Sequence, residues 1–162
     1  MLQGIRILMA LEQGQRAPDF SAKNDAGKEI SLSGFRGRKV VLYFYPKDDT
    51  PGCVKEACSF RDDVRKLAAK GAVVVGISPD SVESHKKFRK KHGLNFSLVS
   101  DAGNGVSKAY GVWKKKNFMG KEFMGVERTT FIIDEDGMIK KIFLHVNPEG
   151  HSIDVLNCLE SV

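Results

Sequence analysis

From Ala17 onward, runs of apolar and β-branched residues alternate with segments of helical spacing, a pattern that predicts one α/β domain without linker or internal repeat. Lys39-Val-Val-Leu-Tyr-Phe-Tyr45 has almost no polar break, the composition of a strand buried on both faces at the sheet centre. Ala72-Val-Val-Val-Gly-Ile77 reads as a second such strand. Between them, Ala57, Phe60, Val64, Leu67 and Ala68 mark one apolar face, predicting a helix from about Cys53 to Ala69 that Gly71 ends. The three segments form a βαβ unit. Ser78-Pro-Asp-Ser81 then leads into a basic helix that stops near Gly93, followed by a short apolar stretch, Phe96-Ser-Leu-Val99, and a helix near Val106 to Tyr110. Thr129 to Ile133 and Met138 to Phe143 flank Asp134-Glu-Asp-Gly137, the signature of a hairpin. A last helix is expected from Pro148 or Glu149, carrying Ile153, Leu156 and Leu159 inward. At the other end, Ala17-Pro-Asp-Phe20 is extended, and the Asn24-Asp-Ala-Gly27 turn feeds a short strand, Lys28 to Leu32, giving a small N-terminal hairpin.

Composition narrows the class. A chain of 162 residues with 41% apolar content suits one ordinary core, expected over residues 9–162, with residues 1–8 set aside as an N-terminal extension of uncertain status. Charge interrupts every apolar run well short of the roughly 18 to 20 residues that a membrane helix needs, so no membrane association is expected. The N-terminus lacks an apolar region followed by a small-residue cleavage site, so no secretory signal is expected either. The balance of 26 basic against 20 acidic residues gives a formal charge of +6, concentrated in Lys86 to His92 and in Lys114 to Lys116. No exposed aromatics or reading motif accompany these clusters, so they are read as a solvated helix face and a polar loop, without nucleic-acid binding. The four histidines, His85, His92, His145 and His151, are scattered, and neither metal nor cofactor is expected. Three cysteines are too few for a disulfide scaffold, which points to thiol chemistry in a reducing compartment, the cytoplasm.

Cys53 follows a Pro- and Gly-rich loop after the central strand and opens the next helix, at the carboxyl end of the strands where α/β sites collect. A free thiol with pKa about 8.5 is only about 3% thiolate at pH 7, and bringing it to about 6 takes about 3.4 kcal/mol. A helix N-terminus supplies about 2 kcal/mol at best, so a cation must help. Arg128 is the candidate, because it precedes a buried strand able to run beside the first one; a strand-end surface charge is the plain alternative. Glu56, three residues after Cys53 and on the same helical face, can hold that guanidinium. Thr50 offers a hydroxyl at the same point, or serves simply as a turn or cap residue. For Cys53 the alternative is a buried structural thiol, which Pro51 and Gly52 disfavour by keeping the approach open.

These residues carry a resemblance. Pro46-Lys-Asp-Asp-Thr50-Pro-Gly-Cys53 resembles the Pro-x-x-x-Thr-x-x-Cys signature of the peroxiredoxins, and Tyr43 to Cys53 with Lys55-Glu-Ala-Cys58-Ser-Phe-Arg-Asp62 is similar to the Q-type, or bacterioferritin-comigratory, branch. The likeness continues through Ala17 to Phe20, Leu32 to Gly37, Gly76 to Asp80, Tyr110 to Trp113, Met124-Gly-Val and Arg128 to Asp134. It implies a thioredoxin-like fold, with a central mixed sheet flanked by helices, and a thiol peroxidase that reduces hydrogen peroxide and organic hydroperoxides through a cysteine sulfenic acid, without metal, haem or flavin. By this resemblance Cys53 is the peroxidatic cysteine, Pro46 shields it, Thr50 orients the peroxide, and Arg128 stabilises the thiolate and the transition state. Cys58 falls on the resolving cysteine, implying a Cys53–Cys58 disulfide reduced by thioredoxin or a glutaredoxin, in a monomer. Val54 departs from the pattern, which has Thr there. Cys158 matches no family role and is read as a buried core thiol. The rival readings are a disulfide oxidoreductase, which prefers Cys-x-x-Cys where the spacing here is Cys-x-x-x-x-Cys, and a peroxide sensor on the same fold.

Overall fold

The computed structural model describes residues 11–161; the expected extension at residues 1–8 lies outside them. Its centre is a five-stranded mixed sheet in the order β5-β4-β3-β8-β9, formed by β3 (Lys39–Phe44), β4 (Ala72–Ser78), β5 (Ser97–Ser100), β8 (Thr129–Ile133) and β9 (Ile139–Phe143). β4 runs parallel to β3 and β5 parallel to β4, whereas β8 pairs antiparallel with β3 on its other side. An antiparallel hairpin of β1 (Ser21–Lys23) and β2 (Glu29–Ser31) precedes the sheet.

Alternation along β3 sorts the core into two layers. Val41, Tyr43 and Tyr45 pack with Ala57, Phe60 and Leu67 of α1 (Pro51–Ala69), Phe88 of α2 (Val82–His92) and Val155 and Leu159 of α4 (His151–Leu159). Val40, Leu42 and Phe44 face the other way, against Val106 of α3 (Gly105–Ala109), Tyr110, Val112 and the 3₁₀ turn at Leu32–Phe35. Gly76 lies beside Tyr43 in the parallel register, and a Cβ there would come within 2.9 Å of the Tyr43 ring. The missing side chain is what lets that ring lie flat across β4.

Three expectations need correction. Lys114 to Lys116 are not in a loop but in β6 (Trp113–Phe118), which forms an antiparallel hairpin with β7 (Lys121–Val126). Its two-residue turn, Met119-Gly120, has φ of 53° and 80°, both positive as type I′ hairpins require. Most of both strands is exposed, so no apolar alternation marks them. Ile153 is 57% exposed rather than inward, because the buried face of α4 is His151, Ser152, Val155 and Leu159 and Ile153 lies about 200° around the helix from Val155. On α1, Ala68 is exposed and Val64 half-buried, which leaves the inward stripe to Cys53, Glu56, Ala57, Phe60 and Leu67.

Candidate active site

The chain leaves β3 at Phe44, crosses a loop through Thr50, and enters α1 with Pro51 at its first position, where the missing N–H costs nothing. Thr50 is the N-cap in extended conformation, yet its hydroxyl makes no capping bond and instead donates to the Lys47 carbonyl at 2.9 Å. The first helical bond runs from the Val54 amide to the Thr50 carbonyl, so the amides of Gly52 and Cys53 have no helical acceptor. Cys53 therefore sits at a donor-rich helix terminus, with its residue only 1% exposed. Pro46 is half-buried at the start of the same loop, and Val54 packs against the helix-side core.

Arg128 reaches this point from the strand next door. β3 and β8 pair so that Phe44 faces Thr129, which places Arg128 immediately before the first residue of β8 and beside the loop leaving β3. Its Nη2 donates to Cys53 Sγ at 3.3 Å and its Nη1 to Glu56 Oε1 at 2.6 Å. Gly52 makes room: a Cβ there would sit 3.2 Å from Arg128 Nη2 and 3.5 Å from Pro148 Cγ. The expected cluster of Cys53, Glu56 and Arg128 is thus assembled by two adjacent strands and one helical turn.

Glu56 is fully buried, and burial pushes its carboxyl up to about 7 against the opposing pull of Arg128. Its second oxygen, Oε2, has no hydrogen-bond partner, and neither has the Tyr43 hydroxyl. Burial, reinforced by the negative charges of Glu56 and Cys53, holds the Tyr43 phenol well above its ordinary range, so it stays protonated. His151 donates to or accepts from Thr130 Oγ1 at 2.8 Å, and burial together with Arg128 depresses it to about 4 against the pull of Asp154.

Cys58, one and a half turns along α1, is half-buried and, like Cys53 and Cys158, a free thiol. Cys158 is not fully buried as expected; it is half-buried at the edge of the helix-side core, where desolvation raises its thiol pKa and Lys141 opposes the rise.

A buried polar network under the loop was not legible in the sequence. Asp48 Oδ1 accepts from the Tyr45 hydroxyl at 2.6 Å, and its Oδ2 meets His85 Nδ1 at 2.7 Å and the Ser84 hydroxyl at 2.8 Å. The Asp48 amide donates to Asp80 Oδ2 at 2.8 Å. The next residue, Asp49, has a φ of 60° and pairs with Lys91 at 2.6 Å and His92 at 2.9 Å. The loop is thereby tied to α2. Asp48, Asp80 and His85 form the one group among the described residues whose potential metal-ligating atoms lie within 4.8 Å of one another. Tyr45, Ser78 and Ser84 already occupy those carboxylates, and His85 Nε2 is 2.9 Å from the Val99 carbonyl, so the group reads as a loop anchor. Only the fold brings these residues together; the sequence offers no local spacing that announces them.

Comparison with known proteins defines the class. Residues 13–142 match the AhpC/TSA family, and the chain belongs to that family of peroxiredoxins. Within it, the chain sits with the Bcp, or Prx Q, branch. It is 50% identical over 151 residues to the putative peroxiredoxin Bcp of Coxiella burnetii, covering 93% of this chain and all of that one. Peroxiredoxin Bcp of Bacillus subtilis is 46% identical, with 95% and 98% of the two chains covered. Among solved structures, PrxQ of Xylella fastidiosa superposes with a TM-score of 0.90 at 33% identity, over 94% of this chain and 98% of that one. The bacterioferritin comigratory protein of Xanthomonas campestris gives 0.84 at 36%, over 88% and 90%. The fold is that of a thioredoxin-like peroxiredoxin, as the sequence implied.

Proposed function

We infer that this Bcp-type thiol peroxidase reduces alkyl hydroperoxides at Cys53, and the observation that carries the assignment is the Arg128 guanidinium donating to Cys53 Sγ and Glu56 at once. The Xanthomonas relative, described for its alkyl peroxide reduction activity, supports the substrate class. In the first step the Cys53 thiolate attacks the distal oxygen of the hydroperoxide; the O–O bond breaks, sulfur keeps that oxygen as sulfenic acid, and the remaining oxygen leaves as an alkoxide that takes a proton to become alcohol. Arg128 and the free amides at the start of α1 receive the charge that develops on the oxygens, while the Thr50 hydroxyl, whose proton goes to the Lys47 carbonyl, offers its oxygen to accept from the peroxide O–H and so orient it. Pro46 shields the sulfur, and Glu56 positions Arg128.

The Cys58 thiol then displaces the sulfenic hydroxyl as water, forming a Cys53–Cys58 disulfide, and a dithiol protein of the thioredoxin or glutaredoxin kind reduces it. The enzyme is read as a monomer of one domain, residues 9–162, working in the cytoplasm, where its thiols stay reduced. Among the described residues no helix is long and apolar enough to cross a membrane. The test compares Cys53→Ser and Cys158→Ser in a peroxide-consumption assay, with the disulfide of the wild type mapped by mass spectrometry after one equivalent of peroxide. Loss of turnover in the first variant alone, with a 53–58 bond, is expected; turnover retained by Cys53→Ser would falsify the assignment.

A further inference from the structure

One peptide unit in the loop between β3 and α1 has both of its polar ends in use. The Lys47 carbonyl accepts from the Thr50 hydroxyl at 2.9 Å, and the amide of that same peptide, belonging to Asp48, donates to Asp80 Oδ2 at 2.8 Å. A trans peptide is planar with its C=O and N–H pointing in opposite directions, so fixing one end aims the other. Asp49 turns at a left-handed φ of 60°, which folds the chain back and lets Thr50 reach the carbonyl three residues behind it.

Asp80 is itself held by the sheet. It lies two residues past the end of β4, the parallel neighbour of β3. The Ser78 hydroxyl donates to the same Oδ2 at 2.6 Å, the Asp80 amide donates to Ser78 Oγ at 3.2 Å, and the Ser100 hydroxyl donates to the Asp80 carbonyl at 2.6 Å. The carboxylate is thereby locked to the ends of β4 and β5, while the peptide it grips belongs to a loop in which Lys47 is exposed. A hydroxyl has one proton and two lone pairs, so a Thr50 that spends its proton on Lys47 meets a substrate only as an acceptor. With the Asp48 amide released, the peptide can rotate, the carbonyl leaves, and the Thr50 proton is free to oppose the O–H of the peroxide.

We propose that Asp80 is a positioning residue for the peroxide reaction, acting through the Lys47–Asp48 peptide to keep the Thr50 hydroxyl turned as an acceptor. The proposal rests on the reading of Thr50 as the residue that orients the peroxide. Asp80 touches neither the peroxide nor Cys53, and its effect on the reaction passes entirely through Thr50.

The test measures the second-order rate of the reduced protein with an alkyl hydroperoxide by stopped flow for wild type, Asp80→Ala, Asp80→Asn, Thr50→Val and the Asp80→Ala/Thr50→Val double variant, with urea unfolding of each. Asp80→Ala is expected to react about tenfold more slowly, the scale of one lost hydrogen bond to a charged group. Asp80→Asn, whose carboxamide oxygen accepts from both the Asp48 amide and Ser78, stays within about twofold of wild type. In the Thr50→Val background Asp80→Ala lowers the rate no further, although it costs the same stability as in wild type, so the rate effect is not a stability effect. A tenfold loss that persists without the Thr50 hydroxyl overturns the proposal, as does an Asp80→Asn variant as slow as Asp80→Ala. Where Asp80→Ala does not fold, Asp80→Glu, which displaces the carboxylate by one methylene, takes its place in the same comparison. Thr50→Val reacting as fast as wild type overturns the underlying reading of Thr50, whereas a slow Thr50→Val beside a fast Asp80→Ala overturns the role of Asp80 alone.

Discussion

Arg128 Nη2 lies 3.3 Å from Cys53 Sγ while its Nη1 is held by Glu56, so one guanidinium joins the end of β8 to the first turn of α1. Arg128 is the cation placed beside the attacking sulfur. Arg128→Met is expected to lower the second-order rate with peroxide by about a hundredfold, the scale for losing one donor at a developing oxyanion. Stopped-flow kinetics measure it. A rate unchanged by the substitution removes Arg128 from the mechanism.

Glu56 and His151 set opposing pH dependences of stability. Glu56 is raised from 4.5 to about 7 in the folded protein, so between those values the native state holds more protons than the unfolded one and stability falls as pH rises. His151 is depressed from 6.5 to about 4, so between those values the unfolded state holds more protons and stability rises with pH. Over pH 4.5 to 6.5 the two slopes oppose each other. Glu56→Gln leaves the histidine slope uncovered, and the variant loses on the order of 2 kcal/mol relative to wild type as pH falls from 7 to 4.5. Urea unfolding at several pH values is the measurement; parallel profiles for the two proteins contradict the expectation.

Gly52→Ala separates stability from activity. At the second position of α1, alanine is favoured over glycine by up to about 1 kcal/mol, but its Cβ would stand 3.2 Å from Arg128 Nη2. The guanidinium end must shift by a few tenths of an ångström, and the bond to Cys53 loosens. The variant is expected to unfold at equal or higher denaturant concentration while its peroxide rate falls about tenfold. A stable variant with full activity shows that Arg128 need not sit where it does.

What the sequence made legible was local. β3, α1 and β4 could be read from apolar spacing because each buries a regular set of positions. Glu56 could be placed with Arg128 because three residues on a helix share a face and β8 has the composition of a neighbour to β3. The β6–β7 hairpin was invisible, since Lys114, Lys115 and Lys121 leave it no buried face and its turn is Met119-Gly120 rather than Asn-Gly. The Asp48–His85 anchor was equally hidden, because 37 residues separate partners that meet only when α2 packs beside the loop. Ile153 was misplaced because Ile153, Leu156 and Leu159 step by three and drift about 60° at each step, which leaves Ile153 about 200° from the buried Val155 while Leu156 and Leu159 still meet the core.

Cys53 and Cys58 lie on one unbroken helix, Pro51–Ala69, and that geometry forbids a direct bond between them. Five residues of α-helix give a rise of about 7.5 Å and a net rotation of about 140°, which on a Cα radius of about 2.3 Å separates the two Cα atoms by about 8.7 Å. A disulfide tolerates about 7 Å, with the Cβ atoms turned toward each other. The first turns of α1 must therefore unwind for the bond to form. Glu56 lies between the two cysteines, so the opening also parts it from Arg128, and Cys53 leaves its buried position. Phe60, fully buried against Tyr43, marks where the packed part of the helix resumes. The sheet has no reason to follow, because β3 keeps both of its neighbours. On oxidation, amide hydrogen exchange is expected to quicken from about Gly52 to Arg61 and to change little in Val41 to Tyr45. Equal protection of the helix in both redox states, together with a mapped bond between Cys53 and Cys58, sinks this account. If Cys58→Ser instead recycles as fast as wild type, an external thiol resolves Cys53 and the helix has no need to open.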